Sequence, residues 1–142
     1  MGIDLGERRI GIAVSDSRGT LAMPRTTLVR TGDPEADRDA LVALVRQEEV
    51  ARVVVGLPVH LDGRAGPAAR AAAAEAEALA HALAADGVAV ETFDERLTTV
   101  SAQRSLAEAG RRGPGQRAVV DQAAAAVLLQ AWLDAHPEAR RG

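Results

Sequence analysis

Three acidic positions stand out for where they sit. Asp4 lies between Ile3 and Leu5, just ahead of the apolar run Ile10 to Val14, in a stretch, GIDLGERRIGIAVSD, that otherwise reads as buried strand. An ionised carboxylate there is costly unless a partner offsets its lost hydration. The acidic pair Asp94 and Glu95, followed by Arg96, closes the run VAVETF, and Asp121 stands at the head of the apolar stretch DQAAAAVLLQAWL. Carboxylates far apart in sequence, each at the end of a strand or helix, can converge on one or two Mg²⁺ (or Mn²⁺) ions, which take hard oxygen ligands and keep several waters. Two such ions about 4 Å apart generate an attacking hydroxide and stabilise the leaving oxygen of an in-line phosphodiester cleavage. His or Ser in those places would not serve.

Each position also has a plainer explanation. Arg9 is a possible partner for Asp4, Arg96 is one for Glu95, and Asp121 would suit the positive end of a helix. Asp16 and Asp94 read as turn residues or as supports for ligands rather than ligands. Thr98 and Thr99 read as caps of a following helix, with phosphate contact as the alternative. His60, in GLPVHLDG, is either exposed or in contact with substrate. Arg96, Thr98 and the three arginines of GRRGPGQR, Arg111, Arg112 and Arg117, complete the set that could touch substrate, since a guanidinium suits phosphate. The aromatic residues are Phe93 and Trp132, both expected in the core.

The elements that must position these groups follow from the patterning. Met1 to Leu5, Ile10 to Val14 and Thr20 to Val29 read as strands divided by the turns GERR and SDSRG. Asp33 is a candidate N-cap with Pro34 at the first helical position, and Leu41, Leu44 and Val45 fall on one face of the helix that follows. ARVVVGLPV is a short β-branched run of the kind found in buried parallel strands. After the loop HLDGRAG, an Ala-rich helix opens at Pro67 and closes at Gly87. VAVETF is a fifth strand, and TTVSAQRSLAEAG and VVDQAAAAVLLQAWLDAH read as two further helices divided by the Gly-rich GRRGPGQR. The first three strands should form an antiparallel meander, and each later strand, reached through a crossover helix, should lie parallel to the first. That order predicts an α/β ribonuclease H-like fold, a five-stranded mixed sheet flanked by helices. Chemistry in such sheets gathers at the carboxyl ends of the parallel strands, where VVVGLP and FDERLTT both end.

Composition bounds the alternatives. With 142 residues, 47% hydrophobic and 26% charged, the chain has the size of one domain, spanning residues 1–142. It contains no cysteine, which excludes disulfides, zinc–thiolate sites and thiol nucleophiles. No signal-like segment precedes the first strand and no apolar run approaches about 20 residues, so a cytoplasmic location without membrane contact is expected. The net charge of −3 argues against a strong nonspecific nucleic-acid binder.

The blocks GIDLGERRIGIAVSD, VVVGLPVHLDG, DERLTTVSA and VDQAAAAVLLQAWL, in this order and across nearly the whole chain, resemble the YqgF/RuvX family. Its members are relatives of the RuvC Holliday-junction resolvase and are described as resolvases or pre-ribosomal-RNA nucleases. The resemblance implies that Asp4, Glu95 and Asp121, the last opening the final helix, are the catalytic, metal-binding carboxylates. This chain departs from the family in having His60 where an Asn is usual, and QRAVVD where a Lys-Gly pair usually precedes the last Asp. The family's first strand also usually starts a few residues earlier. The resemblance implies a Mg²⁺-dependent endonuclease that processes the 5′ end of pre-16S rRNA during ribosome biogenesis. The alternatives are a resolvase acting on branched DNA in recombination, or a noncatalytic nucleic-acid-binding module, against which the three retained carboxylates argue. GIDLGERRIGIAV is also similar to the first phosphate loop of actin-like and sugar-kinase ATPases, but those need a second such lobe that 142 residues cannot supply. Resolving a junction needs two symmetric cuts and a two-fold dimer. No dimer surface is evident in the sequence, so a monomer or weak homodimer acting on single-stranded or flexible RNA is expected.

Overall fold

A computed structural model describes residues 1–59, 62–98 and 114–139. The strands are β1 (Gly2–Leu5), β2 (Arg9–Ser15), β3 (Ala22–Val29), β4 (Arg52–Leu57) and β5 (Ala89–Asp94), and the helices are α1 (Pro34–Gln47), α2 (Pro67–Leu83) and α3 (Pro114–Ala135). The strands form one sheet in the order β3-β2-β1-β4-β5. β1, β2 and β3 pair antiparallel, while β4 lies parallel to β1 and β5 parallel to β4. The meander with parallel additions is therefore as the patterning predicts, and the α/β class with it. The helix expected over TTVSAQRSLAEAG, residues 98–110, lies outside the described residues beyond Thr98.

Side-chain alternation along β1 and its neighbours gives the sheet two unlike faces. On one, Ile3, Ile10, Ile12, Val53 and Val55 meet Leu41 and Val45 of α1 and Leu79 and Leu83 of α2. On the other, Ala13 and Val54 meet Ala125, Leu129, Trp132 and Leu133 of α3. Withdrawal of a large aliphatic side chain from water contributes about 1.5–3 kcal/mol, so the first face, rich in Ile, Leu and Val, dominates the apolar stabilisation. Trp132 is buried as expected, and its Nε1–H donates to Glu91. Phe93 is only partly buried, packed against α3.

Local chemistry sets the helix ends. Asp33 accepts the Glu35 backbone N–H, with Pro34 in the first turn, as its N-cap role requires. Asp37 is buried and accepts both the backbone N–H and the hydroxyl of Thr31, tying β3 to α1. α2 ends in a 3-10 turn closed by Gly87 at φ 70°. Two paired-donor ion pairs, Arg38–Glu75 and Arg46–Asp86, join α1 to the α2 segment.

α1 ends without a glycine. Val50 N–H donates to Val45 C=O and Glu49 N–H to Arg46 C=O, each at 3.2 Å, the two bonds of a Schellman motif, with Val50 packed on the core. The motif needs a left-handed residue, and Glu49 supplies it at φ 53°, a conformation that is strained for any residue with a Cβ. Glu49→Gly is therefore expected to raise stability by about 0.5–1 kcal/mol, after allowing for glycine's greater freedom in the unfolded chain. A higher urea midpoint at unchanged slope would show this; a lower midpoint would mean the Glu49 side chain contributes more than the strain costs.

Candidate active site

Asp4 owes its surroundings to two glycines. It is paired with Gly11 of β2, and Gly11 in turn with Thr27 of β3. On its other side, the parallel register that sets Ile3 beside Val55 brings Gly56 of β4 next to Asp4, and Gly56 is paired with Phe93 of β5. Asp4 thus stands in a row across the sheet, on the α3 face, with no side chain beside it on either neighbouring strand, each about 4.8 Å away.

Other groups occupy the space those side chains would take. A Cβ on Gly11 would lie 2.0 Å from the carbonyl oxygen of Asp121, so the backbone of α3 rests directly on β2. A Cβ on Gly56 would lie 3.0 Å from Oε1 of Glu95 and 3.0 Å from Leu128 of α3. Further along β1, a Cβ on Gly2 would meet Leu129 at 2.8 Å. The glycines let α3 sit close to the sheet and bring Asp121 and Glu95 to opposite flanks of Asp4. Asp4 is 3% exposed and Glu95 4%, too little for either to be a solvated surface charge.

The DER segment divides its three side chains. Asp94, at the end of β5, caps a 3-10 turn over Glu95–Leu97 by accepting the Arg96 N–H, and it also receives the Arg96 guanidinium. That hydrogen bond holds the Asp94 carboxyl below its ordinary range and raises Arg96. The Thr98 hydroxyl donates to the Glu95 carbonyl at 2.7 Å, closing the turn behind Glu95; the helix that Thr98 is expected to cap lies outside the described residues. Arg96 is therefore the partner of Asp94 and not of Glu95. The pairing considered for Asp4 is also corrected: the Arg9 Nε–H donates to Oδ2 of Asp121 at 2.7 Å, an ion pair with side chains 24% and 15% exposed.

Asp121 does not open the last helix, as the resemblance implies. α3 begins at Pro114, seven residues earlier, because proline's fixed φ suits a first helical turn. The field of a helix terminus fades within that turn, so the dipole does not explain Asp121. Pro114 to Arg117 of GRRGPGQR are accordingly helix rather than loop. His60, Thr99, Arg111 and Arg112 lie outside the described residues, as does the Arg117 side chain. Asp16 is the turn residue expected, accepting from Thr20 and Leu21.

Carboxylate oxygens are the hard donors that a divalent cation of the Mg²⁺ class takes, so the donor chemistry of Asp4 and Glu95 fits such an ion. Among the described residues, however, no three acidic or histidine side chains are gathered into one ligating group, and Asp121 is engaged by Arg9. Arg9 enters the sequence reading only as a possible partner of Asp4, and Gly11 and Gly56 do not enter it at all. The available signal for the glycines is their position inside apolar strand patterns, which marks close approach of another group.

The family described as RuvX: Holliday junction resolvase matches residues 1–135. A relative from Mycobacterium sp. (strain KMS), named "Putative pre-16S rRNA nuclease", is 52% identical over 94% of this chain and 78% of its own length. One of the same name from Myxococcus xanthus (strain DK1622) is 48% identical over 96% and 87%. Among solved structures, T. thermophilus RuvC in complex with a Holliday junction substrate superposes with a TM-score of 0.61 at 16% identity, covering 99% of this chain and 96% of that one. At that identity the likeness speaks to the fold, and it agrees with a ribonuclease H-like sheet.

The two glycines should respond differently to a methyl group. Gly11→Ala drives a Cβ into helix backbone, which cannot swing aside, and is expected to cost about 3 kcal/mol. Gly56→Ala meets the ends of two flexible side chains and is expected to cost about 1 kcal/mol. Urea denaturation of both variants checks this; equal, small losses would mean that α3 is not seated on β2.

Proposed function

The chain belongs to the RuvX family, and from that membership we propose that it is a metal-dependent endonuclease that hydrolyses phosphodiester bonds in the 5′ processing of pre-16S rRNA, in the cytoplasm. The observation that carries the reading is the burial of two carboxylates at the carboxyl ends of β1 and β5: Asp4, set between Gly11 and Gly56, and Glu95, whose side chain lies over Gly56. Asp4 and Glu95 would hold one or two Mg²⁺ or Mn²⁺ ions, with Asp121 as the third ligand. When bound, the ions polarise the scissile phosphate and lower the pKa of water beside it.

The chain's own residues set the geometry. Asp4, on the central strand, has no freedom to move with the loops, and Glu95 is fixed by the turn that Asp94 and Thr98 close. Hydrolysis then forms one bond from a water oxygen to phosphorus and breaks the bond to the leaving ribose oxygen, which takes up a proton. In this reading His60, Arg96, Thr98, Arg111, Arg112 and Arg117 are the residues that would contact substrate. Flexible RNA is favoured over branched DNA, and a monomer or weak homodimer suffices, since one strand is cut once. The resolvase reading is favoured by the description of the family.

Asp4→Asn and Glu95→Gln each remove a charge at nearly constant shape. Both are expected to reduce Mg²⁺-dependent cleavage of a short pre-16S rRNA mimic to background. Since carboxylates crowded without a cation repel one another, both variants should unfold in EDTA at a urea midpoint no lower than the parent's. Parental cleavage rates would remove these residues from the site. Paired symmetric nicks in a four-way junction, with the RNA mimic intact and a stable dimer in sedimentation, would favour the resolvase.

A further inference from the structure

Arg9 is the first residue of β2 and lies on the α3 face, two residues along from Gly11, about 7 Å from the row that holds Asp4. Among the described residues its one ion pair is to Asp121, and that pair engages Nε alone. The Nη edge of the guanidinium is the part that grips phosphate through two parallel hydrogen bonds. The ion pair is partly open to water, so an anion can reach it.

Two more arginines share this end of the sheet. Arg8 is exposed in the turn before β2, and its carbonyl accepts the Arg30 backbone N–H at 2.9 Å. The Arg30 Nε is buried with no hydrogen-bond partner, a donor that native structures rarely leave without an acceptor. Neither Arg8 nor Arg30 forms an ion pair among the described residues. Arg8 and Arg30 stand opposite one another at the edge of the sheet, by strand alternation on the other face from Arg9, and they add positive charge near this end of the sheet in a chain of net charge −3, which suits a polyanion.

Resting on the nuclease reading above, we infer that Arg9 is a positioning residue that a substrate phosphate displaces: it holds Asp121 out of the ligand set until the phosphodiester backbone takes its guanidinium and Asp121 turns to the cation. Two observations carry the idea. The third carboxylate is occupied by Arg9 and not gathered with Asp4 and Glu95, and the group that occupies it is a guanidinium, which a substrate phosphate would grip. Nucleic acid and cation would then bind cooperatively, each strengthening the other by the same factor.

The test is Mn²⁺ affinity measured by calorimetry, with and without a short phosphorothioate RNA that resists cleavage. The parent is expected to bind Mn²⁺ about five- to tenfold more tightly when the RNA is present. Arg9→Gln should bind Mn²⁺ more tightly than the parent without RNA and gain nothing when RNA is added. Arg9→Lys keeps the charge and should hold the parental Mn²⁺ affinity without RNA, with a reduced gain on adding it. Asp4-dependent Mn²⁺ binding that responds identically to RNA in the parent and in Arg9→Gln would overturn the inference and leave the nuclease site standing. Weaker Mn²⁺ binding by a folded Arg9→Gln would overturn it too, by showing a merely structural pair. Mn²⁺ binding unchanged by Asp4→Asn would instead overturn the site reading, and this inference with it.

Discussion

The missing Cβ atoms at Gly11 and Gly56 are the constraint on which the α3 side of the molecule depends. Helix on sheet normally stands about 10 Å off, separated by side chains from both layers. Here the backbone of α3 at Asp121 comes to where the first side-chain atom of Gly11 would be, and the Glu95 side chain fills the corresponding space at Gly56. Without that proximity, Asp4, Glu95 and Asp121 would be three separate charges on three elements. With it, they flank one row of the sheet.

Burial of acidic groups in that row has an energetic cost that the rest of the fold must offset. Asp4 and Glu95 are almost fully withdrawn from water, and carboxylates brought together in low dielectric disfavour one another. The opposite face supplies the compensation. Its Ile, Leu and Val cluster under α1 and α2 is fully buried, the helix pair is joined by Arg38–Glu75 and Arg46–Asp86, and α1 is fixed to β3 through Asp37 and Thr31. The sheet therefore has one face built for stability and one, lined by Gly and Ala, on which charge is tolerated. Such a division is common where a functional site sits at odds with local stability.

Charge pairing near the row is selective. Arg96 turns to Asp94, its neighbour but one. Arg9 turns to Asp121 across more than a hundred residues of sequence. Arg96 and Arg9 thereby hold Asp94 and Asp121, while Asp4 stands between Gly11 and Gly56 and the Glu95 side chain lies over Gly56.

The sequence by itself determined the strands and two of the helices, because each depends on local rules: alternation for β1 and β2, the Asp33–Pro34 start of α1, and Pro67 and Gly87 around α2. It also determined that Asp4 sits in a buried strand, since its apolar neighbours are adjacent in the chain. Its pairing partners were not legible. Asp4 with Arg9, Glu95 with Arg96 and Asp121 with a helix terminus are all reasonable from sequence proximity, and none is found. Side-chain partners are set by which elements meet in space, and that depended on glycine contacts between β2 and α3 that no local pattern encodes. The start of α3 was misjudged for a related reason: Gly and Arg around Pro114 read as loop by propensity, a weak prior that tertiary packing of a long apolar helix overrides.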